Sequence, residues 1–233
     1  MRRIVYIILL VMIAFSSYSQ KRKVQNQPYA DYKLYHWGFH VGFHSQDLLL
    51  TNNGIASPDG KILFAEIPDY SPGFSVGVIG DLFLNPYMNL RLTPTIHFGD
   101  RSVLFKDFKN GEETRVSVRS NYLSVPLDLK ISSMRLNNCR PYILGGIYGA
   151  ADLGRKKGYQ LLMKSLDYGF EFGIGCTVYM PYFKLAPEIK FKFGLPDIMM
   201  HDRPDLINEA DKIYTNALSK VTTRMVVFTF NFE

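Results

Sequence analysis

Cysteine is scarce in this chain, and long apolar runs are confined to its beginning. Only Cys139 and Cys176 are present, and neither directly follows the N-terminal apolar run, where a lipid-bearing cysteine would have to lie. Beyond Phe15 no stretch is long and apolar enough to cross a bilayer as a helix, because such a span needs about 20 apolar residues. HExxH and CxxC motifs and a glycine-rich phosphate loop are also missing. These absences argue against a lipoprotein, a helical membrane protein and the enzyme classes that those motifs define.

The first residues have the pattern of a secretory signal. Arg2 and Arg3 precede an apolar run that ends at Phe15, and small or polar residues follow as far as Ser19, after which we expect cleavage. An uncleaved anchor is the alternative, but the run is shorter than the ~20 residues of a span. Loss of the two arginines lowers the formal charge from +6 to +4. That mild charge predicts no nucleic-acid partner, which an exported protein would rarely meet.

Alternation of large apolar residues with small or polar ones recurs along the rest of the chain. Trp37, Phe39 and Val41, for example, alternate with Gly38 and His40, and a period of two predicts a strand. In the fifth such segment both sides are apolar or glycine, so its facing is ambiguous. The eight predicted strands are residues 35–44, 73–82, 88–98, 122–131, 140–150, 167–178, 183–193 and 225–232.

The connections alternate in length. Short turns lie near Pro86, at 132–138 and at Met180–Pro181, whereas the longer connections are 45–72, 99–115, 151–166 and 195–221. This alternation of short and long connections is typical of outer-membrane barrels, which have short periplasmic turns and longer outer loops. The sequence therefore predicts an all-β, eight-stranded, antiparallel up-and-down transmembrane β-barrel. Within the last loop, residues 205–221 have helical spacing, and this short helix either plugs the barrel mouth, docks a partner or rests on the rim.

The apolar faces must point either to a core, as in a soluble lipocalin-like barrel, or to lipid. Lipid is favoured because these faces carry almost no charge over about ten residues, with Arg224 as an exception, while glycines and charges share the other face. A lumen of eight strands is then filled by side chains and is not a pore. Aromatic residues also mark both ends of the apolar face: Tyr35, Trp37, Phe183, Phe230 and Phe232 at one, and Phe43, Phe74, Phe98, Tyr168 and Phe193 at the other.

Tight turns predict ion pairs inside the lumen. The turn at Pro86 places Asp81 opposite Arg91, and the turn at Met180 and Pro181 places Glu171 opposite Lys190, with Glu188 one pair away. Buried charges in membrane proteins are often functional, but here we favour a structural network that cross-links the wall. Similar reasoning for the fifth and sixth strands puts the two cysteines on opposite faces. It therefore argues against a disulfide, although export would permit one.

Three histidines, His36, His40 and His44, lie four residues apart. On a helix they could share a metal, but on a strand they are about 13 Å apart and no single ion joins them. The candidate nucleophile for His44 is its neighbour Ser45 at the outer rim. We expect no catalytic site, metal or cofactor. The predicted site is a structural polar network in the lumen, made of Asp81, Arg91, Glu171, Glu188, Lys190, His36 and His40.

Six segments, in this order, resemble the PorT family of outer-membrane barrels, called SprT in gliding bacteria: WGFHVGFHSQDL, RLTPTIHF, NYLSVPLDLKIS, RPYILGGIYGAADL, DYGFEFGIG and YFKLAPEIKFKFGL. We expect a signal peptide at 1–19, a periplasmic segment at 20–32 and an outer-membrane barrel at 33–233. The resemblance implies a role in type IX protein secretion, or in assembly of that apparatus, without catalytic residues. The expected partners are outer-membrane lipid and other secretion-system proteins, contacted through the outer loops or the periplasmic end. A structural or adhesive barrel and a lipid- or peptide-modifying enzyme are the alternatives.

Overall fold

The computed structural model describes residues 24–53, 63–66, 72–107, 113–154, 163–200 and 218–233. The predicted signal peptide lies outside the described residues, and so does the predicted helix up to residue 217; its last four residues belong to a strand. A 3-10 turn, Ala30–Tyr32, precedes the strands. These are β1 (Tyr35–Asn52), β2 (Leu63–Glu66), β3 (Pro72–Asn85), β4 (Met88–Leu92), β5 (Thr95–Asp107), β6 (Glu113–Ser132), β7 (Cys139–Asp152), β8 (Leu166–Tyr179), β9 (Lys184–Gly194) and β10 (Leu218–Phe232).

The strands form a closed antiparallel ring in which each wall strand pairs with its neighbours in sequence and β10 pairs with β1. β4 and β5 are one wall strand interrupted at Thr93 and Pro94, because proline has no N–H for the ladder. Two backbone hydrogen bonds span the interruption, from Val78 to the Pro94 carbonyl (3.1 Å) and from Thr93 to the Pro126 carbonyl (3.3 Å). The ring thus has eight wall strands, which confirms the predicted barrel.

The two ends of the barrel differ. The described chain enters and leaves at one end, which also carries the short connections between β3 and β4, β6 and β7, and β8 and β9. We call it the periplasmic end, and the other the extracellular end, since short turns face the periplasm in such barrels. At the extracellular end β1, β5, β6 and β10 extend further than predicted, so much of the predicted loops at 45–72 and 99–115 is strand.

The burial pattern is inverted relative to that of a water-soluble barrel. Trp37 and Ile147 on the outer wall are 77% and 67% exposed, whereas Arg91 and Asp128 inside are 0% exposed. Apolar side chains therefore face outward and charged ones inward, as a lipid environment requires, and the lipocalin-like alternative is excluded. Among the described residues, no helix has both the length and the apolar character needed to span a bilayer.

The interior changes from polar to apolar at the extracellular end, where the strands extend beyond the predicted wall. A side chain from β2 joins residues of the longer strands and of the connections before β8 and after β9. This extracellular apolar cap comprises Leu48, Ala65, Phe105, Met163, Ile198, Met199, Leu218 and Val221. The amide of Asn52 fixes β2 beside β1 by bonding both the N–H (2.9 Å) and the carbonyl (3.3 Å) of Ala65. Among the described residues, a small hydrophobic core therefore occupies this end of the lumen.

The outer wall has its aromatic boundary just below this cap. Phe43 lies opposite Phe74, which lies opposite Phe98, so three adjacent strands carry phenylalanine at one level. Four residues further along β1, Asp47 lies opposite Arg224 and forms an ion pair with it. Arg224, the charged exception on the apolar face, is thus paired with a carboxylate. It lies above the level of the aromatic residues, where the polar headgroups begin.

The prediction for the two cysteines was wrong, because they form a disulfide. Cys139 lies opposite Val178 and Cys176 opposite Pro141, so the cysteines are diagonal neighbours on the same outward face, with Cα atoms 6.5 Å apart. The error arose in β7, whose glycine-rich sequence is apolar on both faces. Without alternation nothing in that segment fixes its facing, and a shift of one residue moves a side chain to the other face.

Candidate functional site

A network of buried charges fills the middle of the barrel, and Arg91 is its centre at the periplasmic end. Asp81 lies directly opposite Arg91 and accepts hydrogen bonds from both Nη2 (2.7 Å) and Nε (3.1 Å). The guanidinium also pairs with Glu233 and lies 3.6 Å from Glu188. Lys130 lies 3.7 Å from the same Asp81 carboxylate. One buried guanidinium thus connects carboxylates from three strands or their ends.

Lys190 is the second centre. Its Nζ lies 3.1 Å from Asp128, 3.1 Å from Glu171 and 3.3 Å from Glu188. The predicted register was wrong by two residues, because Lys192 lies opposite Glu171 and Lys190 lies opposite Gly173. The turn is longer than assumed and closes between Tyr179 and Lys184. A shift of two residues keeps every side chain on its face, so Lys190 still reaches Glu171, now diagonally.

Glu188 joins the two centres. Besides Arg91 and Lys190, it accepts hydrogen bonds from the Tyr142 hydroxyl (2.6 Å) and from the Asn231 amide (3.3 Å). Tyr142 lies opposite Gly175, and its ring takes up the space into which a side chain there would project. Glycines of the wall therefore make room for the network in a narrow lumen.

Glu233 follows β10 and enters the periplasmic mouth of the barrel. Its backbone exchanges hydrogen bonds with Lys184, and its side chain pairs with Arg91. Burial alone would raise the pKa of the Glu233 carboxyl, but the charges of Arg91, Lys130 and Lys184 hold it below its usual range. Glu233 is therefore an anion of the network. The sequence did not predict this role, because Glu233 lies outside the alternating pattern.

A layer of histidines separates the charge network from the extracellular cap. His40 bonds Thr95 (3.1 Å) and His97 bonds Ser124 (3.0 Å), each through Nε2. His44 bonds Gln46 (3.0 Å), and its ring meets that of His97 edge-on at 5.0 Å. The histidines of β1 thus contact separate partners. No cluster of three or more His, Cys, Asp or Glu residues able to hold a metal occurs in the described ranges.

His44 and Ser45 do not form a nucleophile and base. They are consecutive on β1, so their side chains leave opposite faces of the strand. His44 is 3% exposed inside the lumen and is bonded to Gln46. His44 therefore does not activate Ser45 as a nucleophile, as the enzyme alternative would require at this position.

His36 connects the lumen to the segment before β1, which we call the N-terminal strap (residues 24–34). Its Nε2 donates to the Ala30 carbonyl at 2.6 Å. Asp31 of the strap accepts a hydrogen bond from the Tyr179 hydroxyl and forms ion pairs with Arg140 (3.4 Å) and Arg135 (3.7 Å). The strap thus lies across the periplasmic end of the barrel, beside the turns that follow β6 and β8.

The side chains of the network fill the described part of the lumen, with small cavities among them. Cavities between its layers have room for about one or two water molecules each. The sequence did not single out several members that the structure brings together, although their polar positions within alternating strands signalled an inward face. These members are Asp128, Lys130, Tyr142, Lys192, His97 and Glu233.

The fold and its filled lumen define a transmembrane β-barrel of the outer-membrane type. Comparison with family models agrees, because the model of the outer membrane protein beta-barrel domain matches residues 18–199. The chain belongs to this family and lies in the outer membrane. A comparison with curated protein sequences gave no match.

Several solved structures are similar to this chain. OprG of Pseudomonas aeruginosa is 12% identical, with a TM-score of 0.44 and coverage of 84% of this chain and 92% of that one. Ail, the attachment invasion locus protein of Yersinia pestis, in complex with a heparin analogue, is 11% identical, with a TM-score of 0.37 and coverage of 84% and 96%. AlkL, solved in lipid bilayers, is 12% identical, with a TM-score of 0.38 and coverage of 93% of each chain.

Proposed function

We propose that this barrel is a component of the type IX protein secretion system that supports secretion or assembly of the apparatus without conducting solutes. The order of its six PorT-like segments supports the choice of system. The main observation in support of a non-conducting role is the filled lumen. Lys190 alone is within 3.3 Å of three carboxylates, and an apolar cap lies above. A barrel with no passage acts through the surfaces that it presents to other proteins.

Deletion of the gene in its host bacterium tests this function. We expect the proteins of the culture medium to lose the cargo of the secretion system, and a plasmid copy of the wild-type gene to restore it. Normal secretion by the deletion strain overturns the proposal and leaves an adhesive or purely structural barrel. A plasmid copy with His44→Gln and Ser45→Ala is the matched control, because it removes the pair that the sequence suggested for the enzyme alternative. We expect it to restore secretion fully.

The non-conducting role has its own test. Purified protein inserted into a planar bilayer should give no solute-sized conductance steps, since the cavities among the described lumen residues at the histidine layer are water-sized and an eight-stranded lumen is filled by side chains. The control is the same preparation with an open porin added. Steady channels from the barrel alone would show that the lumen opens and would contradict this part of the proposal.

A further inference from the structure

The periplasmic end binds the N-terminal strap through hydrogen bonds between side chains and backbone, as peptide-binding proteins bind their ligands. Arg135 donates to the carbonyls of Asn26 and Gln27, which are backbone acceptors that any peptide offers. In return, the carbonyls of Tyr179 and Met180 accept the side-chain amides of Asn26 and Gln27, each at 2.9 Å. These contacts fix an irregular segment mainly through polar groups.

At the same end, a groove formed by Arg135, Arg140 and Tyr179 binds a carboxylate of the strap. The Asp31 carboxylate meets the Tyr179 hydroxyl, the Arg140 guanidinium at 3.4 Å and the Arg135 guanidinium at 3.7 Å. Arg135 lies 3.5 Å from the centre of the Tyr179 ring, so stacking holds it in place. The arginine side chains are 9% and 11% exposed, which strengthens their attraction for an anion relative to arginines in open solvent.

The charges at this site are unequal. Two guanidiniums meet at Asp31, which is the carboxylate paired with both of them in the described part of the chain. Arg135 and Arg140 also donate to uncharged backbone carbonyls, such as those of Asn137 and Ser133. Two guanidiniums therefore converge on one carboxylate at this point, an arrangement that favours an acidic ligand.

The strap is held by polar contacts and buries little apolar surface. Within residues 24–34 only Ala30 is buried, while Tyr29, Tyr32 and Leu34 are 80%, 67% and 56% exposed. A segment with few buried apolar contacts and mainly polar bonds opens at a low cost in free energy compared with the barrel wall. The occupant of the groove can therefore be exchanged without unfolding the barrel.

We propose that the groove formed by Arg135, Arg140 and Tyr179 is a binding site for an acidic peptide segment of a periplasmic protein, and that Asp31 of the strap occupies it in the absence of that partner. The partner supplies a carboxylate in place of Asp31 and backbone carbonyls in place of those of Asn26 and Gln27. The inference rests on the proposed function only in assigning a protein partner to the periplasmic side. Normal secretion after deletion would overturn the proposed function. Peptide binding to the purified barrel tests the binding site independently of that function.

The test uses the full-length barrel in detergent with Asp31→Asn, and a fluorescent synthetic peptide of residues 24–34 as probe. We expect the variant to bind the peptide about tenfold more tightly than the wild-type barrel does, because its own strap competes less well. A second peptide with asparagine in place of aspartate should bind the variant about tenfold more weakly than the first. Glu66→Gln at the extracellular end, which removes the same charge, is the matched control and should behave as wild type.

Two results would overturn the site: equal binding of both peptides to the Asp31→Asn barrel, or equal binding of the first peptide to wild type and variant. Retained heat-modifiable migration on gels shows that the variant is folded. If it is not, Gln27→Ala serves instead, because this change removes the bond to Met180 and leaves the carboxylate site intact. The same two comparisons then decide the outcome.

Discussion

His40 lies directly opposite Gly77 on the neighbouring strand, and its ring fills the space into which a side chain at Gly77 would project. His44 and Gly73 have the same relationship four residues further along the strands. The four-residue spacing of His40 and His44 therefore matches the four-residue spacing of Gly77 and Gly73 on β3. At these two levels of the narrow lumen the imidazole fills the space of an absent side chain, whereas His36 lies opposite Asp81.

Replacing Gly77 with alanine should destabilise the barrel by about 1–3 kcal/mol, because the new methyl group would lie 2.5 Å from Cε1 of His40 and also press on the Pro94 carbonyl. The measurement is urea unfolding in detergent, followed by tryptophan fluorescence. Gly149→Ala is the control, since no atom lies within 4 Å of its added carbon. Equal stability of the two variants would contradict the steric explanation.

Replacing Arg91 with methionine should cost about 3–5 kcal/mol, because it leaves Asp81, Glu188 and Glu233 buried without their shared cation. The same unfolding measurement applies. Lys106→Met is the comparison: it breaks an ion pair with Glu66 whose side chains are 43% and 59% exposed, so its cost should be about 1 kcal/mol or less. A similar loss in both variants would mean that the Arg91 pairs are as weak as surface ones.

The disulfide can be tested by mass. Alkylation of the unfolded protein should add no label to Cys139 or Cys176 before reduction and two labels after it. Reduction should also lower stability, by up to about 4 kcal/mol for cysteines 37 residues apart, because the bond restricts the unfolded chain. A protein with two alkylated thiols before reduction would show that the bond does not form.

The lipid-facing wall can be tested with spin labels. Labels at Ile147 and Phe172, which are 67% and 47% exposed, should collide often with oxygen and rarely with a water-soluble nickel complex. A label at Tyr182, in the turn after β8 and 96% exposed, should show the opposite preference. Higher access of nickel than of oxygen at Ile147 would contradict the membrane position of this wall.

The sequence by itself determined the barrel and the facing of most strands. Each alternating strand has a period of two, and only one of its faces can meet lipid, so local pattern settles the orientation of residues such as Trp37 and Asp81. The tight turn at Pro86 also placed Arg91 opposite Asp81, because a short turn leaves little freedom of register.

Only the tertiary structure decided features that depend on distant contacts or on turn length. The turn between β8 and β9 admits more than one register, so Lys192 rather than Lys190 lies opposite Glu171. β7 has no alternation to fix its facing, and the disulfide at Cys139 was therefore missed. The entry of Glu233, the extracellular cap and the docked strap require a closed ring, because closure is what brings residues far apart in sequence to the same end of the lumen.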